Sequence, residues 1–114
     1  MTKITFAEEG NKRTITINGH SGYAEKGKDI VCAGISTLYQ SYRYYLEDLM
    51  DDGKAEDIFI LEKDGFSEIS SRNISPESMA AYEMAKQGLE VISETYPDYV
   101  ETFLKIFKKN QKYG

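Results

Sequence analysis

Hydrophobic and polar residues alternate along the first 18 residues of the chain. The segments 2–8 and 12–18 each carry apolar side chains on one face, namely Ile4, Phe6, Ile15 and Ile17. Such alternation is typical of a β-strand with one buried side. Because Glu9-Gly10-Asn11 has the composition of a tight turn, the pattern predicts a β-hairpin.

A second pair of strands is predicted in the middle of the chain, over residues 54–62 and 66–70. The run Ile58-Phe59-Ile60-Leu61 is apolar on both faces. This pattern favours a central position in the sheet. The turn Lys63-Asp64-Gly65 leads into the shorter strand.

Between the two strand pairs, apolar residues recur at spacings of three and four, the period of an amphipathic helix. This helix is predicted from about Ile30 to Met50, with a buried stripe of Val31, Ile35, Leu38, Tyr42, Tyr45 and Leu49. A second helix is predicted to begin at Ser75-Pro76, because serine is a good N-cap and proline fits the first turn. Its stripe is Ala81, Ala85, Gly88, Leu89, Ile92 and Tyr96, and Pro97 ends it.

A short third helix is predicted from about Asp98, with an inward face of Val100, Phe103, Leu104 and Phe107. The predicted element order is β-β-α-β-β-α-α. We expect an α+β fold in which helices pack on a mainly antiparallel, four-stranded sheet. The 114 residues are enough for one such domain over residues 1–114 and too few for two.

Composition narrows the classes of function. Hydrophobic residues make up 40% and charged residues 29% of the chain, and no apolar run reaches the roughly 18 residues of a membrane span. The N-terminal sequence lacks the layout of a signal peptide, so we expect a cytoplasmic protein without a membrane partner. The formal net charge of −5 disfavours direct nucleic-acid binding. Four C-terminal lysines, expected to complement the end of the last helix, are Lys105, Lys108, Lys109 and Lys112.

The segment between the first hairpin and the first helix is longer than a simple connection requires. It contains Gly19, Gly22 and Gly27, with the only histidine, His20, at one end. The only cysteine, Cys32, follows its other end, in the first turn of the helix, where the helix dipole favours a thiolate. One cysteine excludes an intrachain disulfide, and one cysteine with one histidine cannot build a zinc site alone, so we expect no structural metal.

A segment of this length can bring His20 and Cys32 within hydrogen-bond reach, which is the arrangement of a cysteine nucleophile and its base. The imidazole would take the thiol proton and later protonate a leaving amine. The N–H of Ala33 at the helix start is a candidate donor to the developing oxyanion. The competing interpretation is that Cys32 is a small buried hydrophobe and His20 a surface or capping residue.

Two neighbouring polar residues have candidate supporting roles. Ser36 lies one turn beyond Cys32, in position to hydrogen-bond the sulfur or the imidazole, on a helical seam formed by Cys32, Ser36, Tyr39 and Arg43. Asp29 is a natural N-cap, or alternatively a third member that orients His20. The cap is favoured because a carboxylate near the sulfur opposes thiol ionisation.

The same segment resembles the signature of a known family, the ribosomal-processing cysteine protease Prp (YsxB-like). The resemblance is carried by Gly19-His20-Ser21-Gly22-Tyr23-Ala24, then Gly27, then Asp29-Ile30-Val31-Cys32-Ala33-Gly34-Ile35-Ser36. It implies that His20 and Cys32 form the catalytic pair. From their positions in this segment, we also expect six residues to support the site or bind substrate, namely Gly19, Ser21, Gly22, Asp29, Ala33 and Ser36. Ser21 and Gly34 stand where alanine is usual in the family.

The resemblance also implies a substrate and an assembly. Members of this family remove an N-terminal extension from the twenty-seventh protein of the large ribosomal subunit, and act as homodimers without metal or cofactor. The alternative from another class is a non-catalytic ribosome-assembly protein that binds a partner's tail. A further alternative is a different cysteine hydrolase, such as an amidase or a thioesterase. The tyrosine-rich run at Tyr39, Tyr42, Tyr44 and Tyr45 suggests an RNA-stacking platform, but core packing and a subunit interface are favoured.

Overall fold

The computed structural model describes residues 1–108 and shows a five-stranded sheet with two helices covering one of its faces. In chain order, the elements are β1 (Thr2–Glu9), β2 (Lys12–Asn18), α1 (Ile30–Asp51), β3 (Glu56–Lys63), β4 (Phe66–Arg72), α2 (Pro76–Thr95) and β5 (Val100–Phe107). The strands lie in the order β3-β4-β2-β1-β5. The predicted α+β class is confirmed, whereas the expected count of four strands is one too few.

The two predicted strand pairs form the antiparallel part of the sheet. β1 pairs with β2, β3 pairs with β4, and a β2–β4 pairing joins the two hairpins. In this register Phe6 lies opposite Ile15, and Ile15 lies opposite Ile69. All three side chains are at most 1% exposed, because they lie on the face that the helices cover.

β3 lies at an edge of the sheet, so the predicted central position is wrong. Ile58 and Ile60 pack against the core, while Phe59 is 57% exposed on the opposite face. An apolar run on both faces does not by itself distinguish a central strand from an edge strand. Single exposed apolar side chains are common on protein surfaces.

The segment after Pro97 forms the strand β5, so the predicted third helix is wrong. β5 pairs in parallel with β1, with Thr2 opposite Val100. The apolar spacing in this segment fits a helix, but its aromatic and β-branched residues also favour a strand, and the free edge of β1 provides a partner. The element order is therefore β-β-α-β-β-α-β, and the mainly antiparallel sheet is mixed.

Helix α1 carries a buried stripe that differs from the prediction at two places. The buried residues are Val31, Ile35, Tyr39, Tyr42, Leu46 and Leu49. Tyr45 is 48% exposed, and Leu38 is only partly buried. Tyr39 and Leu46 are buried in their place. An α-helix has 3.6 residues per turn, so over 22 residues its buried face shifts away from positions chosen by a strict alternation of three and four.

Helix α2 begins at the predicted cap. The Ser75 hydroxyl accepts the Ser78 N–H, and the Ser78 hydroxyl accepts the Ser75 N–H. The helix packs closely on α1 at Gly88, where an added Cβ would lie 3.0 Å from both methyl carbons of Leu38. The predicted apolar stripe of α2 therefore includes a contact that requires a residue without a side chain.

Two of the C-terminal lysines lie within the described part of the chain. Lys105 is in β5 and Lys108 follows it, so the role predicted for them at a helix end is wrong. Lys109 and Lys112 lie outside the described residues. Over residues 1–108, no helix is long and apolar enough to cross a membrane.

Candidate active site

The connection from β2 to α1 begins at a glycine that the backbone requires. Gly19 has a φ of 93°, and an added Cβ would lie 2.6 Å from the carbonyl oxygen of Met1. Its N–H donates to the Gly65 carbonyl oxygen at 2.7 Å. This hydrogen bond fixes the start of the connection to the turn between β3 and β4, so the next residue emerges beside that turn.

His20 lies against the β3–β4 turn. Its Nε2 is 3.6 Å from Oδ1 of Asp64, and an added Cβ at Gly65 would lie 3.2 Å from the same nitrogen. The histidine side chain is 67% exposed and that of Asp64 is 92% exposed, so solvent strongly screens any charge interaction between them. The contact therefore contributes little to the stability of the fold.

Sequence reasoning assigned Asp64 and Gly65 to a turn and missed their contact with His20. The contact follows from the β2–β4 register, in which Asn18 lies opposite Phe66. That register places the end of β2 beside the turn that precedes β4. Knowledge of how the two hairpins pair would have been needed to find this contact. The local patterns of the sequence do not contain that information.

Cys32 is held in the first turn of α1 by the predicted cap. Oδ1 of Asp29 accepts the N–H groups of Val31 at 3.0 Å and Cys32 at 2.9 Å. Over the described residues, no hydrogen bond joins Asp29 to His20. The structure thus supports the cap that the sequence favoured over the role of a third catalytic member.

The carboxyl group of Asp29 also accepts the hydroxyl of Ser21 at Oδ2, over 2.5 Å. Burial opposes ionisation of this carboxyl, but the hydrogen bonds from Ser21 and from the Cys32 N–H outweigh it and lower its pKa to about 2. Asp29 is therefore a carboxylate at neutral pH. Its negative charge offsets the positive end of the α1 dipole next to the cysteine.

Ser21 links this carboxylate to the sulfur. Its side chain is buried, and the Cys32 thiol donates to its Oγ over 3.5 Å. The N–H of Tyr23 donates to the same oxygen at 3.2 Å. Sequence reasoning placed Ser21 in the site but did not foresee that it would contact both Asp29 and Cys32.

One cavity brings the predicted catalytic residues together. It has a volume of about 220 Å³, and its lining includes Gly19, His20, Cys32 and Ser36. Lys63, at the end of β3, adds a positive charge to the lining. Over residues 1–108, no hydrogen bond joins His20 to Cys32, so the two groups share a cavity without forming an ion pair in this state.

The other predicted supporting residues do not line this cavity. The Ala33 N–H donates to the Asp29 carbonyl oxygen at 3.0 Å, so the expected oxyanion donor is already used by the helix. Gly22 has a φ of 73°, and an added Cβ there would meet nothing within 4 Å. Ser36 reaches the cavity but hydrogen-bonds neither the sulfur nor the imidazole within the described chain.

The predicted helical seam borders the cavity with only three of its four residues, Cys32, Ser36 and Tyr39. Tyr39 is 1% exposed, and burial raises the pKa of its hydroxyl to about 12. Arg43 pairs with Glu47 at 2.9 Å and with Glu62 at 2.8 Å, which ties α1 to β3. Within residues 1–108, no group of three or more His, Cys, Asp or Glu residues is arranged to hold a metal ion.

The family of the chain is decided by a match over most of its length. Residues 1–101 match the family model described as cysteine protease Prp. The chain belongs to this family. It is therefore a cysteine protease, and the match includes the whole Prp-like segment on which the sequence resemblance depends.

Solved Prp structures share the fold. Prp from Staphylococcus aureus in complex with a covalently linked product peptide is 22% identical, with a TM-score of 0.78, over 92% of this chain and 100% of that chain. The S. aureus Prp complex with a substrate peptide is 21% identical, with a TM-score of 0.72 and the same coverage. SMU.848 from Streptococcus mutans is 24% identical, with a TM-score of 0.71, over 94% of this chain and 96% of that chain. Among curated proteins, none matches the chain significantly.

Proposed function

We propose that this Prp-family protease removes the N-terminal extension of a large-subunit ribosomal protein, the twenty-seventh, with Cys32 as nucleophile and His20 as general acid and base. The observation that carries this proposal is that the only cysteine and the only histidine of the chain line one cavity. Two other facts support the substrate class. S. aureus Prp is described as a ribosomal processing protease, and its structures hold a substrate peptide and a covalently linked product peptide.

The mechanism is acyl transfer through a thioester. The Cys32 sulfur attacks the scissile carbonyl carbon while its proton passes to the imidazole of His20. The imidazolium then protonates the leaving amine, which becomes the new N-terminus of the mature ribosomal protein. Water attacks the thioester carbon with His20 as base, and hydrolysis releases the extension and restores the thiol.

Formation of the catalytic pair requires a small rearrangement. In the structure the thiol donates to Ser21, and the imidazole lies beside Asp64. Both groups border the same cavity, so changes in side-chain rotamers bring them together without a change of fold. We infer that the bound peptide stabilises the paired state, as catalytic hydrogen bonds often tighten only in the substrate complex.

The setting of the reaction follows from the same proposal. We place the enzyme in the cytoplasm as a homodimer that needs no metal or cofactor and does not bind nucleic acid directly. The formal net charge of −5 suits a positively charged ribosomal protein as substrate. The side chains of Tyr44 and Tyr45 are 60% and 48% exposed on α1, and they provide apolar surface for a second subunit.

The deciding experiment is incubation of the protein with the unprocessed ribosomal protein, followed by mass spectrometry of both products. We expect one cut between extension and mature sequence, and no cut in ribosomal protein that already lacks the extension. Cys32→Ala should abolish cleavage while retaining binding. Normal processing by Cys32→Ala would favour the non-catalytic assembly protein, and turnover of small amides or thioesters without cleavage of the precursor would favour another cysteine hydrolase.

A further inference from the structure

The hydroxyl of Ser21 has all of its hydrogen-bonding capacity in use. A serine hydroxyl has one proton to donate and two lone pairs to accept with. Here the proton is donated to Asp29, and the lone pairs accept the Tyr23 N–H and the Cys32 S–H. The side chain is 2% exposed, so water does not compete readily for these bonds.

We propose that Ser21 is a positioning residue that holds the Cys32 thiol in its protonated form and competes with His20 for the sulfur. The proposal rests on the proposed function for the role of Cys32 as nucleophile. It adds that the resting enzyme is kept latent by a hydrogen bond. Catalysis then requires the sulfur to leave Ser21 before it passes its proton to His20.

The direction of this effect follows from where the Ser21 proton lies. A hydroxyl that donates to a carboxylate over 2.5 Å makes a charge-assisted bond, which is about twice as strong as a bond between neutral groups. The Ser21 proton is thus committed to Asp29, and only a lone pair faces the sulfur. A lone pair accepts from a thiol and repels a thiolate, so the arrangement favours the S–H form.

The charged groups around the Cys32 sulfur also affect its ionisation, and they act together with the Ser21 hydroxyl. Asp29, at the start of α1, opposes a thiolate, whereas Lys63, at the end of β3, favours it. Tyr39 also lines the cavity, and its hydroxyl is neutral at neutral pH, since burial raises its pKa to about 12. The remaining group that can accept the thiol proton is the imidazole of His20, which faces the cavity from the β2–α1 connection.

The low pKa of Asp29, about 2, makes this arrangement independent of pH across the working range of an enzyme. At neutral pH the carboxylate stays charged and keeps the Ser21 proton. Loss of the Ser21 hydroxyl therefore favours transfer of the thiol proton to His20. In Ser21→Ala, the sulfur loses its acceptor, and His20 becomes the better partner for its proton.

The test measures the rate of alkylation by iodoacetamide as a function of pH, which reports on Cys32 alone because the chain has one cysteine. We expect Ser21→Ala to move the pH–rate profile to lower pH. Below the midpoint, about five-fold more thiolate is expected, as for the loss of one hydrogen bond of about 1 kcal/mol. The same substitution in a His20→Ala background should also move the profile to lower pH, because the loss of the acceptor acts on the thiol directly.

The matched control is Ser67→Ala, which removes a hydroxyl from the cavity that Cys32 lines and which forms no hydrogen bond with the sulfur in the described chain. Its profile should equal that of the native protein. A profile of Ser21→Ala that is unchanged or moved to higher pH would overturn the proposal, as would an equal shift in Ser67→Ala. Circular dichroism and an equal plateau rate at high pH verify that each variant is folded.

A measurement on the native protein keeps the proposal testable if Ser21→Ala does not fold. The S–H stretching band of the single thiol should be present in the infrared spectrum at neutral pH, at the frequency of a hydrogen-bonded thiol. Absence of that band would contradict a protonated resting state. Neither measurement uses a peptide substrate, so a failure of the proposed ribosomal substrate would leave these results unaffected and the two failures distinguishable.

Discussion

At the scale of single residues, Gly19 controls where the histidine lies. Its positive φ and its 2.6 Å approach to the Met1 carbonyl oxygen leave no space for a side chain. Its N–H bond to Gly65 fixes it to the turn that His20 contacts. The residue before the proposed catalytic base is therefore selected for its backbone geometry.

Gly19→Ala is expected to lower the free energy of unfolding by about 2–5 kcal/mol, measured by urea titration. About 1–2 kcal/mol comes from the positive φ, and about 1–3 kcal/mol comes from overpacking against the Met1 carbonyl. Gly53→Ala is the matched control, since Gly53 has a φ of 72° and open space around an added Cβ. Equal losses in the two variants would contradict a steric role for the Met1 contact.

At the scale of elements, the start of α1 joins fold stability to the surroundings of Cys32, the proposed nucleophile. Asp29 caps the helix through the N–H groups of Val31 and Cys32, and it orders Ser21 behind the sulfur. A change at this cap therefore alters helix stability and the surroundings of Cys32 together. The cap of α2 at Ser75 has only the first of these two roles.

Asp29→Ala is expected to cost about 1 kcal/mol of stability, the usual cost of losing a helix cap, and to change the rate of cleavage per folded molecule, because the carboxylate that opposes a thiolate and holds the Ser21 proton is lost. Asp29→Asn keeps a cap oxygen, so its loss of stability should be smaller. Ser75→Ala is the control at the other helix, with a similar loss of stability and native cleavage per folded molecule. Unfolding by urea and initial rates of cleavage report the two effects separately. Native stability in Asp29→Ala would contradict the cap.

The local elements of this fold could be predicted from the sequence, whereas their placement could not. The Asp29 and Ser75 caps depend on neighbouring residues alone, and both are confirmed. The segment of β5 forms a strand because it pairs with the free edge of β1, which is almost 100 residues away in the chain. A local period that fits a helix therefore gave the wrong element there.

The candidate site shows the same division. The spacing from His20 to Cys32 is a sequence feature, and the structure places both at one cavity. The Asp64 and Gly65 contacts of His20 depend on how the two hairpins pair, which local spacing does not encode. The Ala33 N–H is not free to bind an oxyanion, because Asp29 is the N-cap and Ala33 is therefore the first residue whose N–H donates within the helix.

At the scale of the whole molecule, two carboxyl groups with lowered pKa values link stability to pH. Asp29 has a pKa of about 2. For Glu8, burial acts in the opposite direction, but hydrogen bonds from Tyr82 and Lys86 lower the pKa. Glu8 thereby ties β1 to α2, and Asp29 ties the active-site connection to α1.

The free energy of unfolding is expected to fall on acidification from about pH 5 toward pH 2. A carboxyl with a lower pKa when folded contributes its full stabilisation above its unfolded pKa, near 4, and loses it as the pH falls through its folded value. Urea titrations at several pH values measure the slope. Asp29→Asn should show a shallower slope than the native protein, and equal slopes would contradict the assignment of the lowered pKa to Asp29.

The most direct test of the account is capture of the thioester on Cys32. The protein is mixed with the extended ribosomal precursor, quenched in acid at short times, digested and analysed by mass spectrometry. We predict that the peptide containing Cys32 carries the mass of the N-terminal extension, and that this species decays as free extension accumulates. Cys32→Ala should show neither adduct nor product. Cleavage of the precursor by Cys32→Ala at the native rate would contradict the account.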